Sequence, residues 1–225
     1  MTARCPVIIP VKGLRGAKQR LAVVLNEAER GELVLAMLSD MFETLRTVDS
    51  VGAVHIVTPD ADIAWFAEQN GACVIAETSG HGLNEAVVQG CCAREIRAAG
   101  RALILPGDVP LATGEEIAAV VDAGTRRDGR RVTLVPSRDG DGTNAMLLAP
   151  PDAIASCYGP GSFVEHLAAS VARRIDTEVI ELSGIASDID LPADLARLLR
   201  VRRDAPRYAF LADHQSVHTL PGDHA

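Results

Sequence analysis

Apolar and polar positions alternate in a regular order along the first half of the chain. Val7-Ile8-Ile9 is a short apolar run suited to a buried first strand, and it breaks at Pro10 into a polar segment before apolar residues return at Leu21. Asn26 with Glu29 three residues on reads as a helix N-cap, and Leu33, Met37, Met41 and Leu45 then recur at four-residue spacing. A long amphipathic helix to about Val48 is expected. Val51 to Thr58 reads as a strand ended by Pro59, Asp62 to Asn70 as a helix with Trp65 and Phe66 facing inward, and Ala72 to Ala76 as a further strand. After a loop at 80–84, Glu85 to Ala99 reads as one helix. Ala102-Leu103-Ile104-Leu105, closed by Pro106-Gly107, is apolar without alternation and suits a central strand covered on both faces. Thr113 and Glu116 cap the next helix.

The second half has more turns. Val132 to Pro136 reads as a strand, residues 137–144 as a loop, and Ala145 to Leu148 as a strand returning from it. Gly159-Pro160-Gly161-Ser162 opens a helix through Val164 and Leu167, Val179 to Leu182 is a last short strand, and Ser187 to Pro192 leads into a helix over about 193–201. These elements predict an α/β fold: a single-domain sandwich over residues 1–205 with a mostly parallel central sheet and some antiparallel pairing late in the chain. Residues 206–225 read as a flexible or oligomer-forming tail, because His214, His218 and His224 share no short metal-binding spacing.

Composition narrows the class. At 225 residues, 48% hydrophobic and 23% charged, the chain has the content of an ordinary globular protein, and its net charge of -8 argues against a broad nucleic-acid surface. No apolar run approaches a membrane span and the N-terminus meets charge too early for a signal-peptide core, so no membrane partner and a cytoplasmic protein are expected. The five cysteines lack zinc-ligand spacing and read as reduced thiols, Cys91-Cys92 as packing within a helix.

Charge type is more informative than charge amount. The chain holds 22 lysines and arginines, and its only two lysines, Lys12 and Lys18, both fall in the polar segment after the first strand, with Arg15 and Arg20. Compact ammonium groups on flexible stems suit a polyphosphate, and Gly13 and Gly16 let the backbone approach an anion. The segment is not a Walker A loop, since Gly13-x-x-Gly16-x-Lys18 is followed by Gln19, and no Gly-x-Gly-x-x-Gly follows a strand. Asp108 stands just beyond the apolar run at 102–105, where open α/β sheets bind ligands. Asp188 and Asp190 stand two apart, which on an extended segment sends both carboxylates to one side; one could equally cap the helix near Pro192. Carboxylates from distant segments suit Mg²⁺, and with the basic segment they describe phosphate-centred group transfer, which needs no general base when the nucleophile is already an anion.

Val11-Lys12-x-Leu14-x-x-Ala17-Lys18-x-Arg20-Leu21, Gly82-Leu83-Asn84, Gly107-Asp108-Val109-Pro110-Leu111, the Asp-Gly-Thr-Asn run at 141–144, Gly159-x-Gly161-Ser162-x-x-x-His166 and Asp188-Ile189-Asp190-x-Pro192-x-Asp194-Leu195 occur in this order. As a set, over about residues 6–200, they resemble the 2-phospho-L-lactate guanylyltransferase family (CofC/FbiD). The resemblance implies a GT-A-type nucleotidyltransferase fold and transfer of GMP from GTP to the phosphate of 2-phospho-L-lactate, phosphoenolpyruvate or 3-phospho-D-glycerate, with pyrophosphate released, in coenzyme F(420) biosynthesis.

By position, it implies that Lys12, Arg15, Lys18 and Arg20 hold the triphosphate, with Lys18 stabilising the leaving pyrophosphate, and that Gly82, Leu83 and Asn84 lie near guanine and ribose. Asp108, Asp188 and Asp190 would hold Mg²⁺. Thr143, Gly159 and Ser162 would grip the acceptor, Ser162 and nearby amides acting as a helix-terminus anion site. It leaves room for a homodimer and for hand-over of the product to the next enzyme of the pathway. Asp139 and Asp141 place negative charge beside that expected anion pocket. The alternatives are a molybdenum-cofactor-type or sugar-phosphate nucleotidyltransferase, a non-catalytic nucleotide-binding regulator and a GT-A glycosyltransferase.

Overall fold

The computed structural model describes residues 4–77, 82–124, 129–202 and 204–211. Gly80 and His81 of the expected loop and the three histidines of the expected tail lie outside these residues. Seven strands, β1 (Cys5–Pro10), β2 (Val51–Thr58), β3 (Cys73–Ala76), β4 (Ala102–Ile104), β5 (Arg131–Pro136), β6 (Thr143–Ala149) and β7 (Asp176–Val179), form one sheet in the order β3-β2-β1-β4-β6-β5-β7. β6 runs antiparallel to both β4 and β5, and every other pair is parallel. The α-helices are α1 (Glu27–Arg46), α2 (Ala61–Gln69), α3 (Leu83–Cys92), α4 (Arg94–Ala99), α5 (Gly114–Ala123), α6 (Ser162–Ala172) and α7 (Pro192–Arg202). None among the described residues is long and apolar enough to cross a membrane.

The central strands are covered on both faces, which is why their sequences do not alternate with polar residues. Val7, Ile9, Leu103 and Leu105 face one core cluster, with Met37 of α1, Ile117 of α5 and Leu195 of α7. Ile8, Ile104 and Met146 face the other, with Val87 of α3, Ile96 of α4 and Leu167 of α6. Asn26–Glu29 and Thr113–Glu116 both close reciprocal capping boxes, which fix where α1 and α5 begin. All five cysteines are free, and burial pushes the Cys5 and Cys91 thiols up to about 11 and about 12, which leaves both unreactive.

Several expected elements are corrected. The helix expected over 85–99 is two helices, because Ala93 adopts an extended backbone (φ -58, ψ 139) between α3 and α4. Trp65 points outward, 64% exposed; Ile63 and Ala67 are the inward pair of α2, while Phe66 is half-buried with its ring 6.3 Å from that of Phe42. The last strand is Asp176–Val179, earlier than its apolar residues indicated, since as an edge it pairs only with β5 and carries polar side chains. β6 begins at Thr143, so Thr143 and Asn144 belong to a strand and not to a loop. Pro206–Leu211, assigned from sequence to the tail, forms a 3₁₀ turn in which buried Tyr208 donates its hydroxyl to Asp40 of α1 at 2.6 Å. Asp40 is also 3.2 Å from Arg207 and 3.6 Å from Arg202, so the packed body extends to Leu211.

Candidate active site

The segment after β1 is shaped by three anchors. Asp60, which caps α2, accepts from the Leu14 amide at 2.9 Å; buried Arg30 donates to the carbonyls of Ala17 and Leu25, both at 2.9 Å; and Leu21 is fully buried. Between them the chain turns through left-handed backbone at Gly16 (φ 67) and Lys18 (φ 48). A left-handed lysine is uncommon, and its effect here is to send the side chain inward. Lys18 Nζ lies 2.7 Å from Asp108 Oδ2 and 2.7 Å from Asp190 Oδ1, with only 9% of its side chain exposed. Burial works against the ammonium, but the charges of Asp108 and Asp190 outweigh it, and the Lys18 pKa is raised.

Lys12, Arg15 and Arg20 are exposed around this centre, with Arg20 Nη1 3.6 Å from Asp190. With Gly13, Gly107 and Leu83 they wall a cleft of about 570 Å³ beyond the carboxyl ends of β1 and β4. The structure therefore brings together seven of the expected residues: Lys12, Arg15, Lys18, Arg20, Leu83, Asp108 and Asp190.

Asp188 joins them through the backbone. Ile189 donates to the Asp108 carbonyl at 3.0 Å, which lays the 188–190 segment beside the loop after β4. Burial, followed by the neighbouring charges of Asp108 and Asp190, raises the Asp188 pKa, and a hydrogen bond from Asn144 opposes that rise. The turn into α7 is held from inside the helix by Asp194, its third residue, whose Oδ2 accepts from the amides of Asp190 and Leu191 at 3.3 and 2.9 Å. Its Oδ1 meets Arg138 at 3.3 Å and Arg197 at 3.4 Å.

Among the described residues no group of three His, Cys, Asp or Glu is gathered closely enough to hold a metal by itself. The donor chemistry nevertheless fits a hard divalent cation. Such an ion takes one or two carboxylates and completes its shell with water and phosphate oxygens, and a cation here would offset the burial and, after it, the neighbouring charges that raise Asp188.

The expected acceptor wall is more closed than the sequence indicated. Thr143 and Ser162 are 3% and 2% exposed, and the Thr143 amide donates to Ser162 Oγ at 3.0 Å. His166 Nε2 accepts from the Cys157 amide at 2.9 Å, so the neutral ring carries its proton on Nδ1 and donates it to Thr143 Oγ1, also at 2.9 Å. Burial pushes His166 down to about 4. The N-terminus of α6 is not an open anion site: Asp141 Oδ2 takes the Gly161 amide at 3.0 Å, its carbonyl takes Phe163 at 3.1 Å, and the Gly159 carbonyl takes Ser162 at 3.1 Å. Asp139 is turned into its own loop by bonds from the Ser137 hydroxyl and the Asp141 amide, which lower its pKa.

On the other side of the cleft, Gly82 stands before α3 with φ 145 and only Leu83 lines the cavity. Asn84 is committed elsewhere. It donates to the Tyr158 carbonyl at 2.9 Å and accepts from Ser156 Oγ at 2.7 Å and the Tyr158 amide at 2.6 Å, tying α3 to the segment before α6.

Residues 5–215 match the family model described as guanylyl transferase CofC like. The chain is 39% identical over 191 residues to the phosphoenolpyruvate guanylyltransferase of Sphaerobacter thermophilus, covering 85% of this chain and 90% of the relative. It is 33% identical over 196 residues to the 3-phospho-D-glycerate guanylyltransferase of Phenylobacterium zucineum (86% and 88% covered). To the 2-phospho-L-lactate guanylyltransferase of Methanobrevibacter smithii it is 29% identical over 194 residues (85% and 82%). Among solved structures, a protein classed as a nucleotide-diphospho-sugar transferase from Desulfovibrio desulfuricans G20 superposes with a TM-score of 0.75 at 16% identity, covering 96% of both chains, a likeness of fold.

Proposed function

The chain belongs to the CofC-like family of guanylyl transferases, and from that premise we propose that it transfers GMP from GTP to the phosphate of a small three-carbon acid in coenzyme F(420) biosynthesis. Phosphoenolpyruvate is the first candidate acceptor, because the relative named for it is 39% identical, against 33% and 29% for those named for 3-phospho-D-glycerate and 2-phospho-L-lactate. The observation that supports a transfer site best is the buried Lys18 ammonium between Asp108 and Asp190, at the floor of a cleft with basic walls.

In this reading an oxygen of the acceptor phosphate attacks the α-phosphorus of GTP, the bond to the bridging oxygen breaks, and its electron pair leaves on pyrophosphate. The nucleophile is already an anion, so no proton has to be removed. Lys12, Arg15 and Arg20 bind the triphosphate, and Lys18 neutralises charge gathering on the departing pyrophosphate. Asp108 and Asp188, with Asp190 beside them, would hold a divalent ion, taken here as Mg²⁺. When bound, that ion supplies neutralisation of the phosphate oxygens. The buried Thr143–His166 pair leaves the Thr143 hydroxyl proton free to donate towards the acceptor, since His166 donates to its oxygen.

The test is pyrophosphate release from GTP and Mg²⁺ with phosphoenolpyruvate, 2-phospho-L-lactate and 3-phospho-D-glycerate offered separately. Release with one acid establishes the reaction and names the acceptor. Release with none of them, while a different acceptor supports it, overturns the three-carbon assignment.

A further inference from the structure

Asn144 is placed by an irregularity in the sheet. Val135 pairs with Ala145 and Pro136 pairs with Thr143, so Asn144 is an extra residue in β6, a bulge. Further along β6, Ala145 and Leu147 face the core under α1, α5 and α7, whereas Met146 and Leu148 face the opposite core. Strict alternation would send Asn144 to the side of Met146. The bulge breaks that alternation and re-aims both of the first residues of the strand. Thr143 meets Ser162 and His166 of α6, while Asn144 Nδ2 donates to the Ile185 carbonyl and to Asp188 Oδ1, each at 3.0 Å. Asn144 is 6% exposed, and the sequence reading gave it no role.

We propose that Asn144 is a positioning residue for Asp188: its carboxamide fixes one carboxylate oxygen so that the group stays beside Asp108, where the two would hold a divalent cation. The inference rests on the metal-assisted reading of the site. Lys18 bridges Asp108 and Asp190 but not Asp188, on which the charges of both carboxylates still act, so an untethered carboxylate at 188 would turn away from them. A neutral donor anchored on the Ile185 carbonyl holds Asp188 in place without adding a fourth negative charge. The rigid strand, and not the loop that bears Asp188, then sets where the carboxylate points.

The plainer account is that Asn144 only closes the 183–189 segment onto β6. A double-mutant cycle read by Mn²⁺ binding separates the two. Mn²⁺ is titrated into the full chain with GTP and followed by electron paramagnetic resonance for the unaltered protein, Asn144→Ala, Asp188→Ala and the double variant. Asn144→Ala should weaken Mn²⁺ binding on the order of 10- to 100-fold while GTP affinity in EDTA is unchanged. In the Asp188→Ala background the same substitution should cost nothing further. Equal weakening in both backgrounds, or unaltered Mn²⁺ affinity in Asn144→Ala, overturns the inference; if Asn144→Ala does not fold, Asn144→Ser, which cannot span both acceptors, takes its place. An unaltered protein that binds no Mn²⁺ with GTP overturns the metal reading itself, and that result is seen before any variant is made.

Discussion

Lys18 Nζ and Asp108 Oδ2 lie 2.7 Å apart although 90 positions separate the two residues in the chain. The same ammonium is bonded at the same distance to Asp190, so in the absence of ligands it neutralises two carboxylates that would otherwise be crowded beside Asp188. In the proposed reaction a metal-bound triphosphate would bring both a cation for the carboxylates and an anion for the lysine, and Lys18, released from Asp108 and Asp190, would then face the departing pyrophosphate. Lys18→Ala should lower turnover by a factor on the order of 10² to 10³, with KM for GTP less affected. Steady-state pyrophosphate release checks this, and near-normal turnover would remove Lys18 from catalysis.

Asp108 stands at the one point where the basic segment, the loop after β4 and the 188–190 segment meet, holding Lys18 by its side chain and Ile189 by its carbonyl. Asp108→Asn keeps the shape and the backbone contact but removes the charge. Metal-dependent turnover should fall below detection while thermal unfolding stays within a few degrees of the parent protein. Retained activity would place the metal elsewhere.

The elements that position the cleft were legible in the sequence wherever periodicity or capping carried them: the apolar runs of β1 and β4, and the two capping boxes. The basic segment was legible because the chain's two lysines both fall there. What escaped were roles that depend on contacts between distant segments. Asp194 and Asn144 look in sequence like ordinary polar residues, and only the bulge at Asn144 and the start of α7 give them partners. Asn84 and Ser162, expected as ligand contacts, also tie one segment to another, which no local sequence pattern announces. The start of β7 was misplaced because an edge strand needs no apolar alternation, and Trp65 because hydrophobicity alone does not choose a helix face.

Asp194 is buried and accepts from two amides and two guanidinium groups. Asp194→Ala takes the side-chain acceptor from the Asp190 and Leu191 amides and one ion-pair partner from each of two guanidinium groups, a loss of about 1–3 kcal/mol. Urea unfolding should show a lower midpoint at unchanged slope. A midpoint equal to that of the parent would mean that water replaces the carboxylate at no cost.

Removing residues 206–225 should destabilise the protein, since buried Asp40 then loses Tyr208 and Arg207 and, among the described residues, keeps Arg202 at 3.6 Å. Tyr208→Phe isolates the hydroxyl and should cost about 1–3 kcal/mol by denaturant titration. Turnover at a temperature where the shortened chain remains folded should survive, because neither residue reaches the cleft. Loss of turnover in a folded shortened chain would make the segment part of the site.

His166 gives the contact between β6 and α6 a defined response to acid. Burial lowers its pKa from 6.5 to about 4, so between these values the unfolded chain binds a proton that the folded chain refuses. The folded state therefore keeps this contribution in full above about pH 6.5 and loses it as the pH falls towards 4, an effect of up to about 3 kcal/mol. Protonation also removes the acceptor at Nε2 that takes the Cys157 amide, freeing the segment before α6. Denaturant unfolding of the parent protein between pH 7 and pH 4 should show stability falling with pH, and His166→Gln should flatten that slope. An equal slope in both proteins would assign the acid response to other groups and leave His166 a packing residue only.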